Sequence, residues 1–115
     1  SMRIISQNGN VDLPYEKFVF GITKDNKIAC CRECVAPPYE IYNGIIAEYS
    51  SKEKALKAME MLREQYERLE VFKVLASGAT EHMEKSLTYE ELVKYNQLYR
   101  EMNVFQFLKD NEVEV

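Results

Sequence analysis

The stretch Glu48-Tyr49-Ser50-Ser51-Lys52-Glu53-Lys54-Ala55-Leu56-Lys57-Ala58-Met59 decides the fold, because the texture of the chain changes across it. Ser50 followed three residues later by Glu53 has the spacing of a capping box, in which each side chain satisfies an unpaired backbone N–H at a helix start. From there Ala55, Ala58, Met59, Leu62, Tyr66, Leu69 and Phe72 recur at steps of three and four, one stripe of a helix. On the outer face Glu53 with Lys57, Arg63 with Glu67, and Glu64 with Arg68 stand at i,i+4, each pair worth about 0.2–0.5 kcal/mol. Gly78 is the expected stop, since a residue without Cβ suits the left-handed position that ends many helices.

Downstream, Thr88 and Glu91 form a second capping box, and Leu87 and Leu92 are spaced as a hydrophobic staple across it. The stripe of this second helix is Leu92, Tyr95, Tyr99 and Met102. Phe105-Gln106-Phe107 then alternates like a short returning strand, and residues 110–115 read as a polar, solvated end.

Upstream, residues 2–49 carry strand signals. Asn8-Gly9 between residues 3–7 and 10–13 predicts a hairpin with a type I′ turn, which needs positive φ at both central residues. Pro14 cannot donate to a ladder, so its strand ends there or lies on an edge. A second hairpin, residues 18–24 and 27–33, turns at Asp25-Asn26. A two-residue turn there places Phe18, Phe20, Ile22, Ala29 and Cys31 on the core face, with Val19, Gly21, Ile28, Cys30 and Arg32 on the other. Pro37-Pro38 breaks the chain. Asn43-Gly44 is either the turn of a third hairpin, between residues 39–42 and 45–49, or a bulge in one strand.

Strands grouped before helices predict the α+β class: antiparallel hairpins forming a small curved sheet, packed on two consecutive helices, with a short C-terminal strand. One domain accounts for residues 2–115, strand-rich over 2–49, helical over 50–102, and ending in a short strand and acidic tail over 103–115. Ser1 in front of Met2 reads as a cloning remnant. The 115 residues, 46% of them hydrophobic, are enough for one core without disulfides or a structural metal.

Several residues carry a resemblance. Met2-Arg3-Ile4-Ile5-Ser6-Gln7 with Gly9, then Asp12-Leu13-Pro14-Tyr15-Glu16, resembles the opening of a family of small uncharacterised bacterial and phage-associated proteins. Ala47-Glu48-Tyr49-Ser50 leading into Lys57-Ala58-Met59-Glu60-Met61-Leu62-Arg63 is similar to that family's strand-into-helix segment, and Glu112-Val113-Glu114-Val115 to its acidic end. The middle departs, because residues 71–104 are longer than the family pattern, and Leu108 stands where a proline often follows the aromatic pair. The resemblance implies a bacterial or phage cytoplasmic setting and no particular activity.

Charge and composition exclude more than they assign. Fifteen Lys and Arg against nineteen Asp and Glu, interleaved along the chain, give a net charge of -4 and no basic patch for a nucleic-acid backbone. No apolar run approaches the roughly 18 residues of a membrane span, and no apolar leader follows Met2, so a cytoplasmic protein is expected. With four scattered glycines there is no phosphate-cradling loop.

Cys31-Arg32-Glu33-Cys34 is a C-x-x-C, but Pro37 denies it the helix start at which a redox thiol is activated. Cys31, Cys34 and His82, with Cys30, reach a zinc ligand count. Neighbouring cysteines on a strand point to opposite faces, however, and so do Cys31 and Cys34 at a spacing of three. The cysteines therefore read as small hydrophobes, and His82 as an exposed residue of a connection over 79–85. No cofactor, metal or catalytic residue is assigned. Eight of thirteen aromatics are Tyr, a residue used both at core margins and at interfaces. Tyr89, Tyr95, Tyr99 and Met102 are the interface candidates. The expectation is a non-enzymatic protein-interaction domain, self-associating as a homo-oligomer; the rival is a ligand binder or enzyme with a pocket between sheet and helices.

Overall fold

In the computed structural model, residues 2–32, 43–86 and 88–115 are described, with side chains left aside at 43 and 77–86. Among the described residues, six strands and two long helices follow the order expected: β1 (Arg3–Ile5), β2 (Asp12–Pro14), β3 (Phe18–Ile22), β4 (Lys27–Arg32), β5 (Asn43–Glu48), α1 (Lys52–Ser86), α2 (Tyr89–Met102) and β6 (Val104–Gln106). The class is α+β. The strands divide into two three-stranded sheets, β2-β1-β6 and β3-β4-β5, rather than one. All pairings are antiparallel except that of β1 with β6, where the returning strand lies parallel to the first.

The first turn differs from the type I′ expectation. Gly9 alone takes a positive φ, +79°, and its N–H donates to Ser6 O at 2.9 Å, so Gln7 and Asn8 form the corners of the turn and Gly9 follows it. Ser6 and Asn8 fill the loop with side-chain bonds: Ser6 Oγ accepts from Val11 N–H and donates to Asn8 Oδ1, which also accepts from Asn10 N–H. Pro14 does end an edge strand.

The β3–β4 turn also contains one residue more than expected, and here the consequence is larger. Thr23 N–H donates to Lys27 O and Asn26 N–H to Thr23 O, with Asn26 at φ +65°, so Lys24, Asp25 and Asn26 all belong to the turn. The register becomes Phe20 opposite Cys30 and Ile22 opposite Ile28. A slip of one residue reverses the faces of a strand. Ile28 (0% exposed) and Cys30 (2%) therefore enter the core, and Ala29 and Cys31 share the outer side with Val19 and Gly21.

Asn43-Gly44 is no hairpin turn, because β5 runs through it, with Gly44 opposite Cys30. A bulge exists, but at Ile46: Ala29 pairs with Ile45 and Ile28 with Ala47, leaving Ile46 unmatched and buried. Pro37-Pro38, Cys34 and residues 39–42 lie outside the described residues.

Helix α1 begins one residue later than expected. Ser51, not Ser50, accepts from the N–H of Lys54 three residues on. Ser50 N–H instead donates to Asp110 Oδ1 at 2.8 Å. Gly78 does not stop the helix, which continues to Ser86, so residues 79–85 are helix rather than connection. Intrahelical bonds carried by both neighbouring turns outweigh the roughly 1 kcal/mol that one interior glycine costs. Thr88 caps α2 as predicted, its Oγ1 accepting from Glu91 N–H. Leu87 of the proposed staple lies outside the described residues.

One core joins all of this. Met2, Ile4 and Leu13 from the first hairpin, Ile28, Cys30, Ile46 and Ala47 from the second sheet, and Phe105 and Phe107 close over Ala55, Ala58, Leu62 and Leu69 of α1. The C-terminal residues are anchored, although Asn111, Glu112, Glu114 and Val115 are exposed as expected of a solvated end. Val113 is buried at 4% exposure, and Asp110 accepts from both Ser50 N–H and Lys54 Nζ. Those bonds and the Lys54 charge hold the Asp110 carboxyl below the usual carboxylate range.

Candidate functional site

The core ends before α1 does. Leu69 is the last fully buried side chain described along that helix, yet the helix continues for more than four turns. At about 1.5 Å per residue its 35 residues match the 52 Å long axis of the molecule. The radius of gyration, 17.1 Å, exceeds the roughly 13 Å of a compact domain this size. The far half of α1 thus projects as an arm, with α2 folded back along one side.

That packing is aromatic and one-sided. Phe72 stacks on Tyr95 at 5.0 Å and meets Tyr99 at 6.0 Å between ring centres. At the foot of the arm Gln65 Nε2 donates to Met102 O and Val104 O, tying the end of α2 to α1. No α2 residue is fully buried. The candidates Tyr95, Tyr99 and Met102 are half-buried against α1, while Tyr89 at the start of α2 is 81% exposed.

The surface that sequence reasoning missed lies along α1 beside its contact with α2. Val71 is 59% and Leu75 68% exposed, and with Phe72 and Met102 they line an open groove rimmed by Glu64, Glu67 and Arg68. Between residues 69 and 76 the chain reads Leu-Glu-Val-Phe-Lys-Val-Leu-Ala, apolar at six of eight positions and so on every side but the one that carries the Glu70–Lys73 ion pair. An apolar face that wide is ordinarily covered beyond a single stripe. The signal in the sequence is this run, in which Val71, Val74 and Leu75 fall outside the buried stripe.

Two other surfaces are concave or apolar. The outward side of β3, β4 and β5 carries Val19, Gly21, Ala29, Cys31 and Ile45, bounded by the ion pair of Lys27 with Glu48. Cys30 and Cys31 point to opposite sides, as strand parity requires. Cys30 Sγ lies 3.6 Å from Gly44 O, and burial pushes its thiol pKa up, which disfavours the reactive thiolate. Among the described residues no cluster of His, Cys, Asp or Glu could hold a metal; Cys34 and the His82 side chain fall outside them. A shallow cleft also lies between β3 and α1. There Tyr15 stacks on Phe20 and contacts Tyr66, whose hydroxyl reaches Glu16 Oε1 at 3.4 Å, with Arg63 beside them.

Compared with known proteins, the chain matches no family model, no curated protein and no solved structure. Among the described residues no helix is long and apolar enough to cross a membrane.

Proposed function

We propose that this is a small non-enzymatic domain that acts through protein contacts, including contacts with itself, in a bacterial or phage-associated cytoplasmic setting. The observation that carries the reading is the outward apolar strip of α1 around Val71 and Leu75, past the end of the core. Burying one such side chain is favourable by about 1.5–3 kcal/mol, so a chain with no use for the strip would be expected to carry charge there. Light scattering behind a sizing column tests it, with association expected to strengthen as concentration rises. A monomer at every concentration, together with no change in Val71 or Leu75 amide signals on titration with lysate proteins, would reject it.

The cleft of Tyr15, Glu16, Arg63 and Tyr66 supports a second reading, a small-ligand site between sheet and helix. A thermal-shift screen separates the two: ligand stabilisation lost in Arg63→Ala, with the oligomeric state unchanged, favours the second.

A further inference from the structure

Seen along α1, Lys57, Met61, Glu64, Arg68, Val71 and Leu75 fall at alternating steps of four and three residues, which brings them onto one seam. The seam runs on a different side of the helix from the core stripe of Ala55, Ala58, Leu62 and Leu69, with Met61 at its margin packing partly against the core. Lys57, Glu64, Arg68, Val71 and Leu75 are substantially exposed along it, and Met61 is half-buried. Such a seam has coiled-coil spacing, with a charged centre, Val71 and Leu75 on one flank and Lys57 and Met61 on the other.

We propose that its occupant is a second copy of the chain, docked antiparallel along α1 about a two-fold axis at the level of residue 66. This rests on the protein-contact reading above and specifies its partner and register. In this arrangement Glu64 faces Arg68 of the partner subunit, and Arg68 faces Glu64 of the partner subunit. Met61 meets Val71 of the partner subunit, and the alkyl stem of Lys57 lies over Leu75 of the partner subunit while its ammonium stays near Glu60.

Charge complementarity selects this register. A parallel pair sets Glu64 on Glu64 and Arg68 on Arg68, and like charges juxtaposed across an interface are strongly unfavourable. An antiparallel pair moved half a heptad puts Glu64 on Leu75 and Arg68 on Val71, burying each charge without a counter-ion. Of these registers, only the axis at residue 66 neutralises both charges, sets Met61 on Val71 and covers Leu75 with the alkyl stem of Lys57. A two-fold interface must be self-complementary in this way. Within one chain Arg68 and Glu64 stand 3.9 Å apart on the surface, so both are already at the height where the partner's pair would join them. Glu67 lies beside the axis on both copies and opposes association, which makes the pair a weak one.

The test uses the full chain in analytical ultracentrifugation. The wild type is expected to self-associate. Glu64→Arg and Arg68→Glu, each alone, are expected to weaken the dimer by about tenfold or more with helical circular dichroism unchanged. Mixed in equal amounts, the two variants regain a heterodimer, since one chain then carries two arginines and the other two glutamates. A wild type that stays monomeric overturns both this proposal and self-association. A wild-type dimer that either variant leaves intact, or variants that fail to pair when mixed, overturns the register alone and leaves the protein-contact reading standing.

Discussion

Gln7 holds three parts of the chain together, and its replacement makes a sharp test of how the core is closed. Its Nε2 donates to Glu48 O and Leu108 O, each at 3.0 Å, and its Oε1 accepts from Glu48 N–H at 2.9 Å. One amide therefore ties the first hairpin to the end of β5 and to the chain after β6. Each bond contributes about 1 kcal/mol net, and those to Glu48 are partly open to water that can replace them. Gln7→Ala is therefore expected to cost about 1.5–3 kcal/mol. Gln7→Glu has the same shape but sets a carboxylate oxygen against two carbonyls, so at neutral pH it should cost at least as much and recover in part in acid, where its single O–H can donate to one of them. The backbone bond from Gln7 N–H to Ile46 O, 2.9 Å, persists in both variants and isolates the side-chain effect. Urea unfolding followed by far-UV circular dichroism reads the difference. A loss below about 0.5 kcal/mol for Gln7→Ala, or wild-type stability for Gln7→Glu at neutral pH, would refute the reasoning.

Asn26 at φ +65° should accept Gly with little change, whereas Asn26→Val should cost about 1–2 kcal/mol for a left-handed backbone, measured by thermal unfolding. Thr88→Ala should cost about 1 kcal/mol of cap energy, seen as faster amide exchange at the start of α2 with global stability nearly unchanged, because no α2 residue is fully buried. Burial, and then the charges of Asp110 and Glu112, raise the Tyr49 hydroxyl to about 12. A proton held more tightly when folded means that stability is whole below the unfolded value near 10 and is lost as pH rises from there to about 12. The loss amounts to at most about 2.7 kcal/mol. In Tyr49→Phe that alkaline slope disappears, and about 1 kcal/mol goes with the bond to Leu108 O.

Periodicity and capping made the helices legible in the sequence. Ala55, Ala58, Leu62 and Leu69 form the buried stripe as read, and Thr88 caps as read. What failed was counting within turns. Nothing local distinguishes a two-residue turn at Asp25-Asn26 from a three-residue turn including Lys24, because Asn tolerates a left-handed backbone in either. The answer is set by Ile28, which has no core to enter in the shorter register. The Ile46 bulge and the burial of Val113 are likewise decided by distant partners rather than by neighbours in sequence. Of the candidate interface residues, α2 contributes Tyr89 at its exposed end, while Tyr95 and Tyr99 are engaged by Phe72. The exposed apolar residues Val71 and Leu75 lie on α1, outside its buried stripe.

The parallel pairing of β1 with β6 also bears on the order in which the molecule can be made. Residues 3–5 wait for residues 104–106, and the Gln7 clasp waits for residue 108. At ribosomal rates of about 5–20 residues per second, the first strand spends on the order of 5–20 s with one edge open. During that interval α1 has emerged but Phe105 and Phe107 have not, so its buried stripe lacks its lid. Contacts this distant along the chain slow folding. Nascent chains stalled before residue 104 are therefore the form of this protein most exposed to chaperones and to strand-edge aggregation.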